Sequence, residues 1–125
     1  MPEHPNAGAF REIVEAMNRG DAATMERYLA DDVTWHYIGG TEPIRSKAEM
    51  VQSLSPSGGD YTITADVHDV LVGDDHTVAL VDATATRADR SLTYRTAEIM
   101  HMKDGKITER WAFSDDTARI IEFFA

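Results

Sequence analysis

Residues 95–116, RTAEIMHMKDGKITERWAFSDD, read as two β-strands joined by a tight turn at Lys103-Asp104-Gly105. Aspartate and glycine tolerate the positive φ that such turns demand. The register of this hairpin decides which side chains share a face, and a slip of one residue reverses it. A two-residue Asp104-Gly105 turn pairs Glu98 with Trp111. A three-residue Lys103-Asp104-Gly105 loop, with Gly105 as a left-handed bulge, pairs Met102 with Lys106, Met100 with Thr108, Glu98 with Arg110 and Thr96 with Ala112. The opposite face then carries Ile99, Trp111 and Phe113. In that second register an acid and a base become direct neighbours. On an exposed face such a pair adds about 0.2–1 kcal/mol. On a covered face it is a poor route to stability, and a function is the better reason to keep it.

The rest of the chain decides what covers the sheet. Phe10, Ile13, Val14 and Met17 recur at helical spacing over residues 7–19, and Gly20 suits the position that ends a helix. Asp21 can cap a second helix carrying Met25, Tyr28 and Leu29. Residues 32–38, DVTWHYI, form a short strand stopped by Gly39-Gly40. Ser46-Lys47-Ala48-Glu49 is a capping box in front of Met50, Val51 and Leu54, and residues 55–59 end that helix in a loop. Strands follow over 61–73, 76–88, 91–102 and 106–114. Asp115 or Asp116 caps a last helix with Ile120, Ile121 and Phe124 on its apolar side. Helices first and consecutive hairpin-linked strands second give an α+β domain over residues 1–125, with helices on one face of an antiparallel sheet.

Bulk properties narrow the function. The chain has 125 residues, 22 acidic against 12 basic, and a formal charge of -10. That balance opposes a nucleic-acid partner and an anionic membrane surface, since both require a basic face. Cysteine is absent, which removes disulfides and thiolate chemistry and fits a reducing cytoplasm. The opening MPEHPNAGAF lacks the basic-then-apolar pattern of a signal peptide, and no apolar run approaches the length of a membrane span. The five histidines lack ligand spacing along the sequence, so a metal site would have to be assembled across strands, and neither metal nor organic cofactor is expected.

Three stretches carry a family resemblance: Asn18-Arg19-Gly20-Asp21, then residues 28–36 (YLADDVTWH), then residues 104–111 (DGKITERW). Their order and spacing resemble the nuclear transport factor 2-like superfamily, within it the SnoaL-like polyketide cyclase and ketosteroid isomerase-related group. The resemblance spans nearly the whole chain. It implies a strongly curved antiparallel sheet wrapped around the N-terminal helices as a cone, an apolar pocket at one end, and a homodimer formed through the outer sheet face. It also favours the three-residue hairpin loop.

Carried over residue by residue, the family's mechanisms are incomplete here. In ketosteroid isomerases an aspartate on the first strand moves the proton; Tyr37 takes its place. The oxyanion-hole tyrosine of the first helix falls near Ile13. The second oxyanion donor, a protonated aspartate, falls on Glu98. The catalytic aspartate that cyclases and limonene epoxide hydrolases place on the last strand corresponds to Ala112. The epoxide hydrolases' Arg-x-Asp pair has no clear counterpart. Steroid isomerisation and epoxide hydrolysis by the family routes are therefore not expected.

What survives is a polar set of Glu98, Arg110 and Tyr37 as the catalytic candidates. Trp35, His36, Tyr94, Met100, Ser114 and Ile13 are the substrate-binding candidates. Strand alternation places Trp35 and Tyr37 on one side and His36 on the other. Ala83 and Ala85, if inward, leave room. Arg110 beside Glu98 favours the carboxylate form, which makes Glu98 well placed but weak as a proton acceptor; the forked guanidinium can instead steady a developing oxygen charge. Two readings follow: cofactor-free acid–base chemistry (isomerisation, cyclisation or dehydration) on a small apolar molecule, or binding of such a molecule without chemistry.

Overall fold

The computed structural model describes residues 4–38, 42–53 and 61–124. The element order is α1 (Pro5–Asn18), α2 (Ala22–Arg27), β1 (Leu29–Trp35), α3 (Lys47–Ser53), β2 (Tyr61–Val72), β3 (Thr77–Arg87), β4 (Arg90–Lys103), β5 (Lys106–Ser114) and α4 (Thr117–Phe124). The architecture is α+β, with N-terminal helices against a curved, open five-stranded sheet of order β1-β5-β4-β3-β2.

Local signals set the helix ends. The Asp21 amide reaches the Ala16 carbonyl at 2.8 Å and the Gly20 amide reaches Met17 at 3.1 Å. Gly20 has φ 71°. Together they close α1 in a Schellman motif, with glycine where a side chain would be strained. Asp21 then starts α2: its Oδ1 accepts from the Thr24 amide at 3.1 Å and its Oδ2 from the Thr24 hydroxyl at 2.6 Å. These two bonds hold the Asp21 carboxyl below its usual range. Ser46 Oγ caps α3 through the Glu49 amide at 3.1 Å. Asp116, rather than Asp115, caps α4 through the Arg119 amide at 3.1 Å. The expected end of α3 near Leu54, the loop at 55–59 and the Gly39-Gly40 stop lie outside the described residues.

Ala7, Phe10, Ile13, Val14 and Ala16 of α1 are buried. They meet Ala65, Ala79, Val81, Met100 and Ile107 on the concave sheet face. A second, smaller cluster lies at the other end, where Ile120 and Phe123 of α4 pack on Ala85 and Leu92. Ile121, expected on the apolar side of α4, is 51% exposed; the helix turns Phe123 inward instead.

Three expectations are corrected. First, β1 ends at Trp35, and Trp35 and Ile44 exchange backbone hydrogen bonds at 2.8 and 2.9 Å, so His36 and Tyr37 belong to the following loop and strand alternation does not apply to them. Second, β1 pairs with β5 in parallel, Trp35 opposite Arg110, so the sheet is antiparallel only from β5 to β2. Third, the β4–β5 turn has two residues, with Asp104 at φ 54° and Gly105 at φ 77°, as a type I′ turn requires. Lys103 faces Lys106 and Met102 faces Ile107; a bulge then shifts the ladder, so Met100 faces Arg110, Ile99 faces Trp111 and Glu98 faces Ala112. That bulge, and another between Val67 and Asp69 on β2, mark where the sheet bends.

Candidate functional site

Glu98 does not face Arg110 across the ladder, yet the two side chains meet. Both point to the concave face, one diagonal step apart, a distance long side chains span. Arg110 donates from Nε at 3.0 Å and from Nη2 at 2.8 Å, both to Oε1 of Glu98. Its Nη1 donates to the His36 carbonyl at 2.9 Å. Its guanidinium carbon lies 4.4 Å from the centre of the Trp35 ring. The side chains of Arg110 and Glu98 are 11% and 13% exposed, so the pair is interior.

The arrangement splits the carboxylate into two unlike oxygens. Oε1 is saturated by the guanidinium. Among the described residues Oε2 has only a long contact of 3.5 Å from the Thr96 hydroxyl, so it keeps a lone pair for another donor. Arg110 is fixed by the carboxylate, a backbone carbonyl and a ring face together, so its charge is oriented before anything binds. Tyr94, four residues before Glu98 on the same face of β4, reaches both apolar clusters. Burial first, and the Glu98 carboxylate second, hold its phenol above the usual tyrosine range, so it stays a protonated donor.

The remaining candidates separate. Trp35 lies under Arg110. Met100 is fully buried and faces Arg110 across the ladder. Ser114 faces Thr96 and bonds the Thr117 hydroxyl at 2.8 Å, at the start of α4. Ile13 is 5% exposed within the α1 core. Tyr37 is 45% exposed in the loop after β1. The His36 ring turns to the outer face, where Nε2 meets Glu109 Oε2 at 3.0 Å and the ring stacks on Trp111; only its carbonyl serves the interior pair. Ala83 and Ala85 are buried, each packed within one of the two apolar clusters.

Thr96 was not among the sequence candidates. It is buried, and its hydroxyl is the only one bonded to Glu98 among the described residues. The signal for it was simple: it precedes Glu98 by two on a strand, so the same face holds both. Two surface clefts, of about 230 Å³ between α1 and β2 and about 310 Å³ beside α4, are not lined by Glu98 or Arg110.

The SnoaL-like domain family matches residues 10–110, most of the chain and both members of the buried pair. This chain belongs to that family. No curated protein matches the sequence. Among solved structures, Bal32a from a soil-derived mobile gene cassette superposes with TM-score 0.88 at 22% identity, over 97% of each chain. An LEH-like epoxide hydrolase of M. tuberculosis gives TM-score 0.83 at 15% identity, over 96% of this chain and 89% of that one. IdmH of Streptomyces antibioticus, a proposed polyketide cyclase, gives 0.76 at 20% identity, over 98% and 100%. At these identities the likeness fixes the fold, nuclear transport factor 2-like, and leaves activity to the residues. SnoaL-like membership is consistent with a small-molecule pocket protein. No helix among the described residues is long and apolar enough to cross a membrane.

Proposed function

We propose that this SnoaL-like chain, acting as one unit over residues 1–125, binds a small, largely apolar molecule inside the cone and carries out cofactor-free acid–base chemistry on it, of the isomerase, cyclase or dehydratase type. The observation behind this reading is the unequal carboxylate of Glu98. Its Oε1 is held by Arg110 at 2.8 and 3.0 Å, while among the described residues Oε2 meets only Thr96, at 3.5 Å. Glu98 Oε2 takes a proton from a carbon next to a carbonyl, or returns one. Arg110 and the Tyr94 hydroxyl steady the oxygen charge that develops, since both are fixed donors in a water-poor interior. Tyr37 approaches from the loop beyond β1, and Trp35, Met100, Ser114 and Ile13 shape the walls. His36 contributes through its carbonyl, by orienting Arg110.

The partner in assembly, in this reading, is a second copy joined through the outer sheet face, where Phe113 is 61% and Leu71 55% exposed. A cytoplasmic location accords with the cysteine-free sequence.

The test is proton exchange. Wild-type protein and Glu98→Gln are incubated in D2O with a panel of cyclic and polycyclic ketones, and deuterium uptake next to the carbonyl is followed by NMR. The reading expects wild-type exchange above buffer and a loss of at least about 100-fold in the variant, the ordinary scale of general acid–base catalysis. Equal exchange by both proteins rejects the role of Glu98. Saturable binding of a ketone without exchange supports the second reading, a binding module, which the replacement of the family's catalytic aspartates by Tyr37 and Ala112 favours.

A further inference from the structure

The outer face of the sheet carries a run of aromatic rings unconnected with the interior pair. His36 stacks on Trp111 at 5.4 Å between centroids, His101 meets Trp111 at 5.3 Å, and His76 meets His101 at 4.4 Å with the ring planes 79° apart. The rings come from the loop after β1, from β5, from β4 and from the turn before β3. His36 is engaged by Glu109. His76 and His101 aim Nε2 at each other, 2.9 Å apart. They lie far apart in the sequence and show no ligand spacing there; the sheet brings them together.

We propose that His76 and His101 form a two-imidazole clamp for a divalent late transition-metal ion of the Cu2+, Ni2+ or Zn2+ class. The bite distance supports this. With metal–nitrogen bonds of about 2.0–2.1 Å, two cis nitrogens stand about 2.9 Å apart at a right angle and about 3.4 Å apart in a tetrahedron. The 2.9 Å separation of the two Nε2 atoms falls at the right-angle end. With no ion, one ring must turn its Nε2–H toward the other's lone pair, because two facing lone pairs repel. With an ion, both lone pairs converge on one cation.

The donor set selects the metal class. Imidazole nitrogen suits copper, nickel and zinc, whereas magnesium and calcium prefer oxygen. The backbone under the clamp is rigid: Thr77 and Met100, each next in sequence to one of the histidines, face each other across the β3–β4 ladder and are 2% and 0% exposed. A protein of charge -10 also concentrates cations at its surface. No set of three or more ligating side chains is gathered among the described residues. The ion is held reversibly by the two nitrogens, with its other positions left to water or to the second copy proposed to join on this face.

Tag-free protein is titrated with NiCl2 by calorimetry, beside His76→Gln, His101→Gln and, as control, His68→Gln. His68 is exposed on β2. The clamp requires saturable binding of one ion by wild type and by His68→Gln, and at least about tenfold weaker binding when either clamp histidine is removed, a loss no smaller than that for an outer-shell partner. Circular dichroism checks that each variant is folded. In wild type, substoichiometric CuCl2 must broaden the imidazole NMR signals of His76 and His101 before those of His68. Equal affinity in all four proteins, or broadening spread evenly over the histidines, overturns the proposal.

Discussion

Arg110 reaches Glu98 diagonally, past the residue that faces it, and places two N–H groups on a single carboxylate oxygen at 3.0 and 2.8 Å. The geometry leaves the other oxygen nearly unused inside the sheet's concave face. A symmetric fork, one N–H to each oxygen, would have engaged both and left neither wholly open to a ligand. The bulge between His101 and Met102 produces this offset, because it moves Arg110 opposite Met100 and Ala112 opposite Glu98.

Removing one partner of this pair should therefore cost more than removing both. Glu98→Ala leaves a guanidinium in the interior with a carbonyl and a ring face, and unfolding stability should fall by about 3–5 kcal/mol. Glu98→Gln keeps an acceptor at Oε1 and should lose about 1–3 kcal/mol. Glu98→Leu combined with Arg110→Met should recover much of the loss seen in Glu98→Ala. Urea denaturation of the three variants measures this, and a double variant less stable than Glu98→Ala would contradict it.

Much of this site was legible for a reason of parity. The sequence favoured Glu98 opposite Arg110; the structure has Glu98 opposite Ala112. The two-residue turn moved the register by one, and the bulge moved it by one again. Two slips restore the face, so Glu98, Arg110, Thr96 and Tyr94 stayed together although every pairing was different. The Asp21 and Ser46 caps and the ends of β5 were legible because they are local: β5 runs from Lys106 to Ser114 as the pattern expects. The parallel pairing of β1 with β5 depends on contacts across the whole chain, and no short window encodes it. Tyr37 and His36 were misplaced for a related reason. Their β-favouring stretch is cut by the bridge from Trp35 to Ile44, a tertiary event. The His76–His101 approach is equally invisible without the β3–β4 register.

The edge of the sheet has its own device. The Asn18 side chain donates to the Ala65 carbonyl at 2.8 Å and accepts from the Ala65 amide at 2.9 Å. It imitates a neighbouring strand at β2, which is an edge strand. Asn18→Asp keeps the shape but sets a carboxylate against the carbonyl. It should destabilise by about 1–3 kcal/mol, and light scattering near the transition should show earlier aggregation than wild type. A stability within error of wild type would show that the clamp adds nothing.

Alkaline pH should weaken the fold through tyrosine. Burial and the Glu98 carboxylate raise the Tyr94 phenol, and a hydrogen bond to Glu12 raises Tyr28. A tyrosine ordinarily titrates near pH 10. Because the folded state holds these protons more tightly, the unfolded chain ionises first. The stabilisation is complete below about pH 10 and declines above it, through the raised folded values. Denaturation midpoints measured from neutral pH into that range should fall, and Tyr94→Phe should flatten the fall. An unchanged slope in Tyr94→Phe would remove Tyr94 as a source.

The turn between β3 and β4 holds Ala88 at φ 52°. The left-handed region costs a residue with a Cβ about 1–2 kcal/mol. Glycine avoids that strain but gives back about 0.5–1 kcal/mol through its freer unfolded chain. Ala88 is exposed, so its methyl group contributes little packing. Ala88→Gly should accordingly raise unfolding stability by about 0.5–1 kcal/mol, seen as a higher urea midpoint with an unchanged slope. Ala88→Val places a branched carbon in the same strained conformation and should lower the midpoint. The two substitutions moving it in the same direction would mean that the turn adopts another backbone conformation in solution.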